Sequence, residues 1–199
     1  MKVSVIIPYK KDRGWLKQAI ASVPRDCELI LSQGEGNCQQ NFNNGILKST
    51  GDLVRWLHED DMLAPGSIEH TIKTFYEQDV DFIHGRAKNI GERNETWTPR
   101  YTHPTMAQQM TKNQLHGGTL VFRRDVFNRI GLFDETLVWS EEYEFTLRCL
   151  YHGLKIGYCN QMLYYYRRHP AQKSIADNQK RTENLNKIRS RYADYQSKG

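Results

Sequence analysis

Val3-Ser4-Val5-Ile6-Ile7-Pro8 opens the chain as an apolar, largely β-branched run that ends at a proline. Such a run is typical of a strand that is buried on both faces of a parallel sheet. The next segment carries apolar residues at helical spacing and ends at Pro24. These residues are Trp15, Leu16, Ala19, Ile20 and Val23. A buried strand followed at once by an amphipathic helix predicts the start of an α/β fold.

The same alternation continues further along the chain. Short apolar segments at 28–32, 53–57 and 80–84 predict strands, and helices are expected at about 38–49 and after Pro65. Right-handed strand–helix–strand connections place such strands in parallel. A chain of 199 residues is long enough to bury the core of one domain. The sequence therefore predicts a single-domain α/β fold with a mainly parallel sheet flanked by helices.

The second half of the chain departs from this rhythm. Residues 86–105 are polar and interrupted by glycine and proline, which predicts a long loop. The other elements expected are helices at 106–115, 125–130 and 141–152, and strands at 119–122, 155–159 and 162–166. From about residue 171 the chain is polar with thinly spaced apolar residues. We expect a helical tail there that packs on the domain or on a second subunit.

The composition is that of a soluble globular protein, with 38% hydrophobic and 26% charged residues. No apolar run is long enough for a membrane span, and the strand-like N-terminus is not expected to be a signal peptide. The four cysteines have no regular spacing, so reduced thiols in a cytoplasmic protein are expected. The net charge of +5 favours anionic partners without choosing among them.

Polar clusters follow several of the predicted strands, where open α/β sheets bind their ligands. The acidic cluster His58-Glu59-Asp60-Asp61 fits a hard divalent cation, or else a solvated acidic turn before the helix at Pro65. Glu141-Glu142 fits a general base, or acids that favour the start of a helix. Arg167-Arg168-His169 fits a diphosphate and its metal, or a basic surface run. Taken singly, these clusters leave both interpretations open.

Their order along the chain resembles the family 2 glycosyltransferases, which have the Rossmann-like GT-A fold. The resemblance covers about residues 2–170 and rests on motifs that occur in the family's order. They are Val3 to Tyr9, Asn43-Asn44-Gly45-Ile46 with Thr50-Gly51-Asp52, Leu57-His58-Glu59-Asp60-Asp61, Gly117-Gly118-Thr119, Arg123-Arg124, Gly131-Leu132-Phe133-Asp134-Glu135, Glu141-Glu142-Tyr143-Glu144 and Tyr166-Arg167-Arg168-His169.

The resemblance implies a role for each matching residue. Asp60 and His169 would hold a divalent metal, Mn²⁺ or Mg²⁺, and Arg167 would face the diphosphate of the donor. Glu142 would be the catalytic base, with Glu141 beside the acceptor. Further metal candidates are Glu59 and Asp61, and Gly117 and Gly118 would lie near the sugar or acceptor. The candidates for nucleotide binding are Pro8, Tyr9, Lys10, Gln33, Glu35, Asn43 and His58.

Two departures from the family pattern affect the nucleotide side. His58 replaces the first aspartate of the metal motif. We expect Glu59, Asp60 or Asp61 to share the role that this aspartate has in the family. The segment between residues 28 and 45 is compressed, which makes Gln33, Glu35 or Asn37 the candidates for contact with the base.

The function implied is an inverting, metal-dependent transfer of a sugar from a nucleotide-diphosphate donor, with UDP as the commonest carrier, to the hydroxyl of a glycan, lipid or protein. The alternative is a module of the same fold that binds a nucleotide sugar without turnover. Nucleic-acid binding is not expected, because the basic residues do not gather on one face and carboxylates occupy the site. We expect a glycosyltransferase domain over 1–170 and a helical tail over 171–199 that could support a homodimer.

Overall fold

The computed structural model describes residues 1–137, 139–170, 172 and 178–196. The strands are β1 Val3–Tyr9, β2 Glu28–Gln33, β3 Leu53–Trp56, β4 Met62–Leu63, β5 Phe82–Gly91, β6 Thr96–Trp97, β7 Val121–Arg123 and β8 Ile156–Arg168. The helices are α1 Leu16–Ala21, α2 Cys38–Lys48, α3 Ser67–Glu77, α4 Met106–Thr111, α5 Asp125–Ile130, α6 Glu141–Tyr151, α7 Asn178–Ser190 and α8 Ala193–Gln196. A 3₁₀ turn covers Gly117–Thr119.

The strands form one mixed sheet in the order β2-β1-β3-β7-β5-β8-β4, with β6 paired to β5. The long pairings are parallel: β1 with β2, β1 with β3, and β5 with β8. The antiparallel pairings of β4, β6 and β7 each join only two residue pairs. The mainly parallel α/β sheet that the sequence predicts is therefore confirmed.

Strand β1 is buried on both faces, as its apolar run predicts. Val5 and Ile7 pack on one side with residues such as Leu53 and Ile68, while Ile6 packs on the other side with Phe42. Burial on both faces fixes the carboxyl end of β1 between its neighbours β2 and β3.

Three elements differ from the sequence prediction. The two final strands expected at 155–159 and 162–166 are one strand, β8, with an irregularity where Cys159 and Met162 face neighbouring residues of β5. The first residues of the predicted 86–105 loop extend β5 as far as Gly91. The strand expected at 119–122 begins later, at Val121. In each case pairing between distant segments decides the boundary, and local sequence does not show it.

The helix α7 packs against the rest of the chain. Ile188 and Tyr192 are buried with Met106 and Met110 of α4 and with Leu147 of α6. The helix expected in the tail is therefore present. The remaining residues of that prediction, 171, 173–177 and 197–199, lie outside the described residues.

The four cysteines, Cys27, Cys38, Cys149 and Cys159, are free thiols, as expected. Within the described residues, none of the helices has the length and apolar character needed to cross a membrane.

Candidate active site

The loops after β1 and β3 meet at the carboxyl edge of the sheet, and a cavity of about 1060 Å³ opens there. Most of the residues predicted for the site line this cavity, although they come from four separate segments of the chain. They are Pro8, Tyr9, Lys10, His58, Glu59, Asp60, Asp61, Gly117, Gly118, Glu141 and Glu142.

Asp60 lies at the centre of the polar contacts in this cavity. Its Oδ2 atom is 3.1 Å from Nε2 of His169, and it also accepts a hydrogen bond of 3.1 Å from Nη2 of Arg13. Arg13 donates to Glu59 as well. The aromatic ring of Trp15 packs on the His169 ring, with the centroids 4.4 Å apart. One carboxylate oxygen therefore faces both a histidine nitrogen and a guanidinium.

Asp61 is buried and its carboxylate holds the loop in place. Its Oδ2 accepts a hydrogen bond of 2.8 Å from the Tyr164 hydroxyl, and its Oδ1 accepts one of 2.7 Å from the backbone N–H of Arg167. Burial, together with the neighbouring Asp60 carboxylate, raises the pKa of Asp61 to about 7. The Tyr164 hydroxyl also accepts from the backbone N–H of His58, at 3.2 Å. Both oxygens of Asp61 are thus engaged by the protein, which opposes the predicted role of Asp61 as a metal ligand.

The predicted base, Glu142, stands in the first turn of α6 beside His58. Nε2 of His58 is 3.4 Å from Oε1 of Glu142. Burial opposes protonation of His58, yet its contacts with Cys38 and Glu142 raise its pKa well above the ordinary value. His116 is also close to this pair, and burial lowers its pKa to about 4. Glu142 therefore lies beside a histidine whose protonated form is favoured and near a second histidine whose neutral form is favoured.

The two glycines of the 117–118 turn are needed for close packing at the site. A Cβ atom on Gly117 would lie 3.0 Å from the carboxylate of Glu142. A Cβ atom on Gly118 would lie 2.3 Å from the ring of Tyr164. Small residues at these positions leave space for the predicted base and for the tyrosine that holds Asp61.

Arg167 is not brought to the cavity. Its Nε donates to the backbone oxygen of Asp60 at 2.8 Å, its Nη2 donates to Gln18 at 2.8 Å, and its guanidinium lies over Trp15. The structure therefore corrects its predicted contact with the diphosphate, because the side chain is used to hold the Asp60 loop. Arg168, the next residue along β8, lines the cavity instead.

Asn43 is also directed elsewhere. Its side chain is buried and bonds to the backbone of Phe133 in both directions, at 3.0 Å, and to Glu135 at 2.8 Å. It joins α2 to the loop before α6, so the structure corrects its predicted role in nucleotide binding. Asn37 caps α2 and donates to the backbone oxygen of Glu135.

Gln33 and Glu35 lie beside the cavity wall. Tyr9 donates to Gln33 at 3.3 Å, and Lys10 forms an ion pair of 2.9 Å with Glu35. Both partners, Tyr9 and Lys10, line the cavity. The compressed segment thus contacts two residues of the cavity lining, and its predicted contact with the nucleotide base stays a prediction.

The pair Asp60–His169 fits one edge of a metal coordination sphere. Neighbouring ligands of an octahedral ion at about 2.1 Å are separated by about 3 Å, and the two candidate atoms are 3.1 Å apart. Within the described ranges, no group of three His, Cys, Asp or Glu side chains converges on one point. A hard cation accepts one or two protein ligands and completes its sphere with water and phosphate oxygens. The two residues present are compatible with such an ion, whereas Glu59 is held by Arg13.

Sequence reasoning missed several residues that the fold brings to the cavity, including Arg13, Arg168, His116 and Tyr164. The position of Arg13 after the first strand was an available signal, since that loop lies at the ligand-binding edge. Strand alternation would have separated Arg167 from Arg168, because neighbouring side chains of a strand point to opposite faces. The contacts of His116 and Tyr164 depend on segments that are distant in the sequence, so no local sequence pattern indicates them.

A family described as glycosyltransferase like family 2 matches residues 2–186, which is nearly the whole chain. The chain belongs to glycosyltransferase-like family 2. Membership of this family confirms the predicted enzyme class, a glycosyltransferase. The resemblance that the motifs indicated is therefore confirmed as well.

Curated relatives of this family 2 chain include two uncharacterized glycosyltransferases. That of Rickettsia prowazekii is 25% identical over 207 residues, which cover 85% of this chain and 65% of the relative. That of Rickettsia typhi is 25% identical over 185 residues, which cover 74% of this chain and 58% of the relative. The chain thus spans less than two thirds of the length of either relative.

Solved structures of TarS from S. aureus share the fold of the family 2 chain. TarS 1-349 in complex with UDP-GlcNAc superimposes with a TM-score of 0.72 at 17% identity, over 89% of this chain and 61% of that chain. TarS 1-349 alone gives a TM-score of 0.68 at 19% identity, over 84% and 60%. At these identities the likeness shows the fold, and it confirms the predicted GT-A architecture.

Proposed function

We propose that this chain transfers a sugar from a UDP-sugar to an acceptor hydroxyl, with inversion at the anomeric carbon. The observation that carries the proposal is that Glu142 and Asp60 line one cavity of about 1060 Å³. A carboxylate that can take a proton and a carboxylate that can hold a cation therefore share one space. Inverting transfer needs both, one beside the attacking hydroxyl and one beside the leaving diphosphate.

The transfer is a single displacement in which Glu142 is the base. The acceptor oxygen forms its bond to the anomeric carbon as the bond from that carbon to the diphosphate oxygen breaks. The hydroxyl proton passes to the Glu142 carboxylate, and the electron pair leaves with the diphosphate. His58 lies 3.4 Å from Oε1 of Glu142 and orients this carboxylate. Glu141 is more buried and is assigned to the acceptor side.

Asp60 and His169 are the residues that would hold a Mn²⁺ or Mg²⁺ ion. When bound, the ion supplies positive charge for the leaving diphosphate. The Asp60 loop is kept in position by Arg167 and by the Asp61–Tyr164 hydrogen bond. We assign the nucleotide to the side of the cavity at Pro8, Tyr9 and Lys10, which is the end of β1. The TarS structures that share this fold are described in complex with UDP-GlcNAc and with UDP, which supports a UDP carrier.

The proposal is tested with two matched variants, Glu142→Gln and Glu141→Gln, after a screen of nucleotide sugars for metal-dependent release of free nucleotide. Glu142→Gln should lower turnover at least about 100-fold, which is the usual contribution of a general base. UDP affinity in the presence of Mn²⁺ should not change. Unchanged turnover in Glu142→Gln, or an equal loss in Glu141→Gln, would contradict the assignment of the base.

The metal part of the proposal is tested by titrating UDP with Mn²⁺ and then with a chelator. Loss of UDP affinity in the chelator supports a metal at Asp60 and His169. Equal affinity in both conditions excludes it.

The second candidate is a module that binds a nucleotide sugar without turnover. It is favoured by His58 in place of the usual aspartate and by the compressed segment at Gln33 and Glu35. UDP binding with no release of UDP from any donor would support this module. A cytoplasmic location, the 1–170 and 171–199 domain division and a homodimer through the tail stay predictions.

A further inference from the structure

The main cavity adjoins a smaller pocket that the proposed reaction does not use. This pocket has a volume of about 370 Å³, and the residues that line it include Arg100, Tyr101 and Lys112. We call it the annex. Trp97, Lys112 and Asn113 line both the annex and the main cavity, so the two spaces share a wall.

The annex and the adjacent cavity wall are rich in positive charge. Arg100 and Lys112 line the annex, while Arg168, Arg181 and Arg189 line the main cavity, where Arg189 bonds to the annex residue Thr111. Among the described residues, no aspartate or glutamate lines the annex. The described lining of the annex therefore carries positive charge without a carboxylate, whereas the catalytic region of the main cavity carries both signs of charge.

Among the described residues, neither of the two annex cations, Arg100 and Lys112, forms an ion pair with a carboxylate. Arg168, by contrast, lies close enough to Glu95 to add to the hydrogen bonds that lower the pKa of that carboxyl. Arg100 and Arg168 lie over the rings of Tyr101 and Tyr166, at 5.3 and 5.5 Å from the centroids. Arg189 donates to the backbone oxygen of Thr111 at 3.1 Å, which fixes its position. Elsewhere the chain pairs many of its basic side chains, for example Arg129 with Asp81 at 2.5 Å.

Aromatic rings occur between the cations. Trp97 lies in the shared wall and Tyr101 in the annex. Aromatic side chains with a few placed polar groups are the usual lining of small-molecule sites, and their flat faces suit the apolar faces of sugar rings. A surface that alternates aromatic rings with unpaired cations suits a sugar chain that carries negative charge.

We propose that the annex binds an anionic acceptor glycan, whose charged groups lie at Arg100 and Lys112 while its reacting hydroxyl lies at Glu142. This inference rests on the proposed function for the reacting end. The annex cations orient the acceptor, because they attract its negative groups and no carboxylate of the described residues lines the annex. The anionic groups are carboxylates or phosphodiesters, and the same cations bind either of them.

The test measures binding of three oligosaccharide probes by tryptophan fluorescence, using the chain as it stands. The probes are an oligogalacturonate with carboxylates, a glycerol phosphate oligomer with phosphodiesters, and a neutral maltooligosaccharide. At least one anionic probe should bind at least about tenfold more tightly than the neutral one, and its affinity should fall with added salt. The stronger anionic probe identifies the charged group.

The double variant Arg100→Gln/Lys112→Gln should weaken binding of that anionic probe about tenfold, since an exposed charge contact contributes at most about a factor of five. The matched control is Lys17→Gln/Lys48→Gln, which removes the same charge from exposed positions on α1 and α2. The control should weaken binding less than twofold. An equal loss in both double variants, or neutral and anionic probes of equal affinity, overturns the inference.

A UDP titration of the unaltered chain separates the two claims. UDP binding without preference for an anionic glycan overturns the annex and leaves the proposed function standing. If the chain prefers an anionic glycan but does not bind UDP, the result supports glycan binding at the annex. The same result contradicts the use of a UDP-sugar donor in the proposed function.

Discussion

The Arg13 guanidinium lies 3.1 Å from Oδ2 of Asp60, the same oxygen that faces Nε2 of His169. Burial opposes the positive charge of Arg13, but Glu59 and Asp60 raise its pKa, so the charge is kept. A protein cation therefore competes for the carboxylate that the proposed metal would use. Arg13 is partly exposed, so this competition is screened by solvent.

Arg13→Gln is expected to tighten binding of Mn²⁺ in the absence of nucleotide by about 3- to 10-fold, because it removes a positive charge beside the proposed ligand. The measurement is a Mn²⁺ titration followed by electron paramagnetic resonance of the free ion. Lys17→Gln, which changes an exposed residue of α1, is the control and should leave the affinity unchanged. Weaker binding in Arg13→Gln would show that Arg13 supports the site and does not compete with the metal.

The two glycines at 117 and 118 should respond differently to alanine. Gly118→Ala places a methyl group against the Tyr164 ring and should lower the free energy of unfolding by about 1–3 kcal/mol. Gly117→Ala places it against the movable carboxylate of Glu142, so stability should change little while turnover falls about 10- to 100-fold. Urea unfolding and a UDP-release assay measure the two effects. The reverse pattern would contradict this division of roles.

Removal of the Tyr164 hydroxyl should destabilise the chain in a way that depends on pH. Tyr164→Phe removes a hydrogen bond to buried Asp61 and should cost about 1–3 kcal/mol. The pKa of Asp61 in the folded chain is about 7, above its ordinary value of 3.8, so folding loses stability as the pH rises between these values. The hydroxyl lowers that pKa, so its loss should extend the decline above pH 7.

Urea unfolding of Tyr164→Phe from pH 5 to pH 9, in a chelator, checks this prediction. The stability deficit should be larger at pH 9 than at pH 5. Tyr158→Phe makes the same chemical change on the same strand, where the hydroxyl donates an exposed hydrogen bond to Asn160, and should show a small deficit at every pH. A deficit in Tyr164→Phe that is independent of pH would rule out the link to Asp61.

Glu28 should account for part of the loss of stability in acid. Burial opposes its charge, but hydrogen bonds from Ser4, Thr50 and Lys2 lower its pKa from 4.5 to about 2. The charged form is favoured by folding, so its stabilisation is complete above about pH 4.5 and is lost as the pH falls towards 2. Glu28→Gln should lower the free energy of unfolding at pH 7 by about 1–3 kcal/mol.

The same variant should show a smaller further loss of stability between pH 5 and pH 2 than the unaltered chain. Unfolding in urea across this range is the measurement, and Glu92→Gln, at an exposed position, is the control. If Glu28→Gln and the unaltered chain lose stability in parallel below pH 5, Glu28 is not the group responsible.

The order of strands and helices was predictable because each of these elements has a local sequence pattern. The apolar run of β1 and the helical spacing after it each depend on neighbours within one or two turns. The extension of β5 to Gly91 and the fusion of two expected strands into β8 were not predictable. Those boundaries are set by pairing between β5 and β8, which are far apart in the sequence.

Some residues of the candidate site could likewise be named from the sequence, and others could not. The motif residues Asp60, Glu142 and His169 could be named from the order of motifs along the chain. Arg167 could not be assigned correctly, because its contacts with Gln18 and the Asp60 backbone arise only when β8 packs beside the loop after β3.

The sequence by itself determined the α/β class, the family and the identity of the acidic and basic clusters, since these follow from composition, periodicity and motif order. The tertiary structure decided which side chain of each cluster faces the cavity and which one holds the loop. Arg167 and Arg168 are neighbours on β8 that differ in this way, because Arg167 holds the Asp60 loop and Arg168 lines the cavity. Alternate side chains point to opposite faces, and only the packing of distant segments decides which face becomes the cavity.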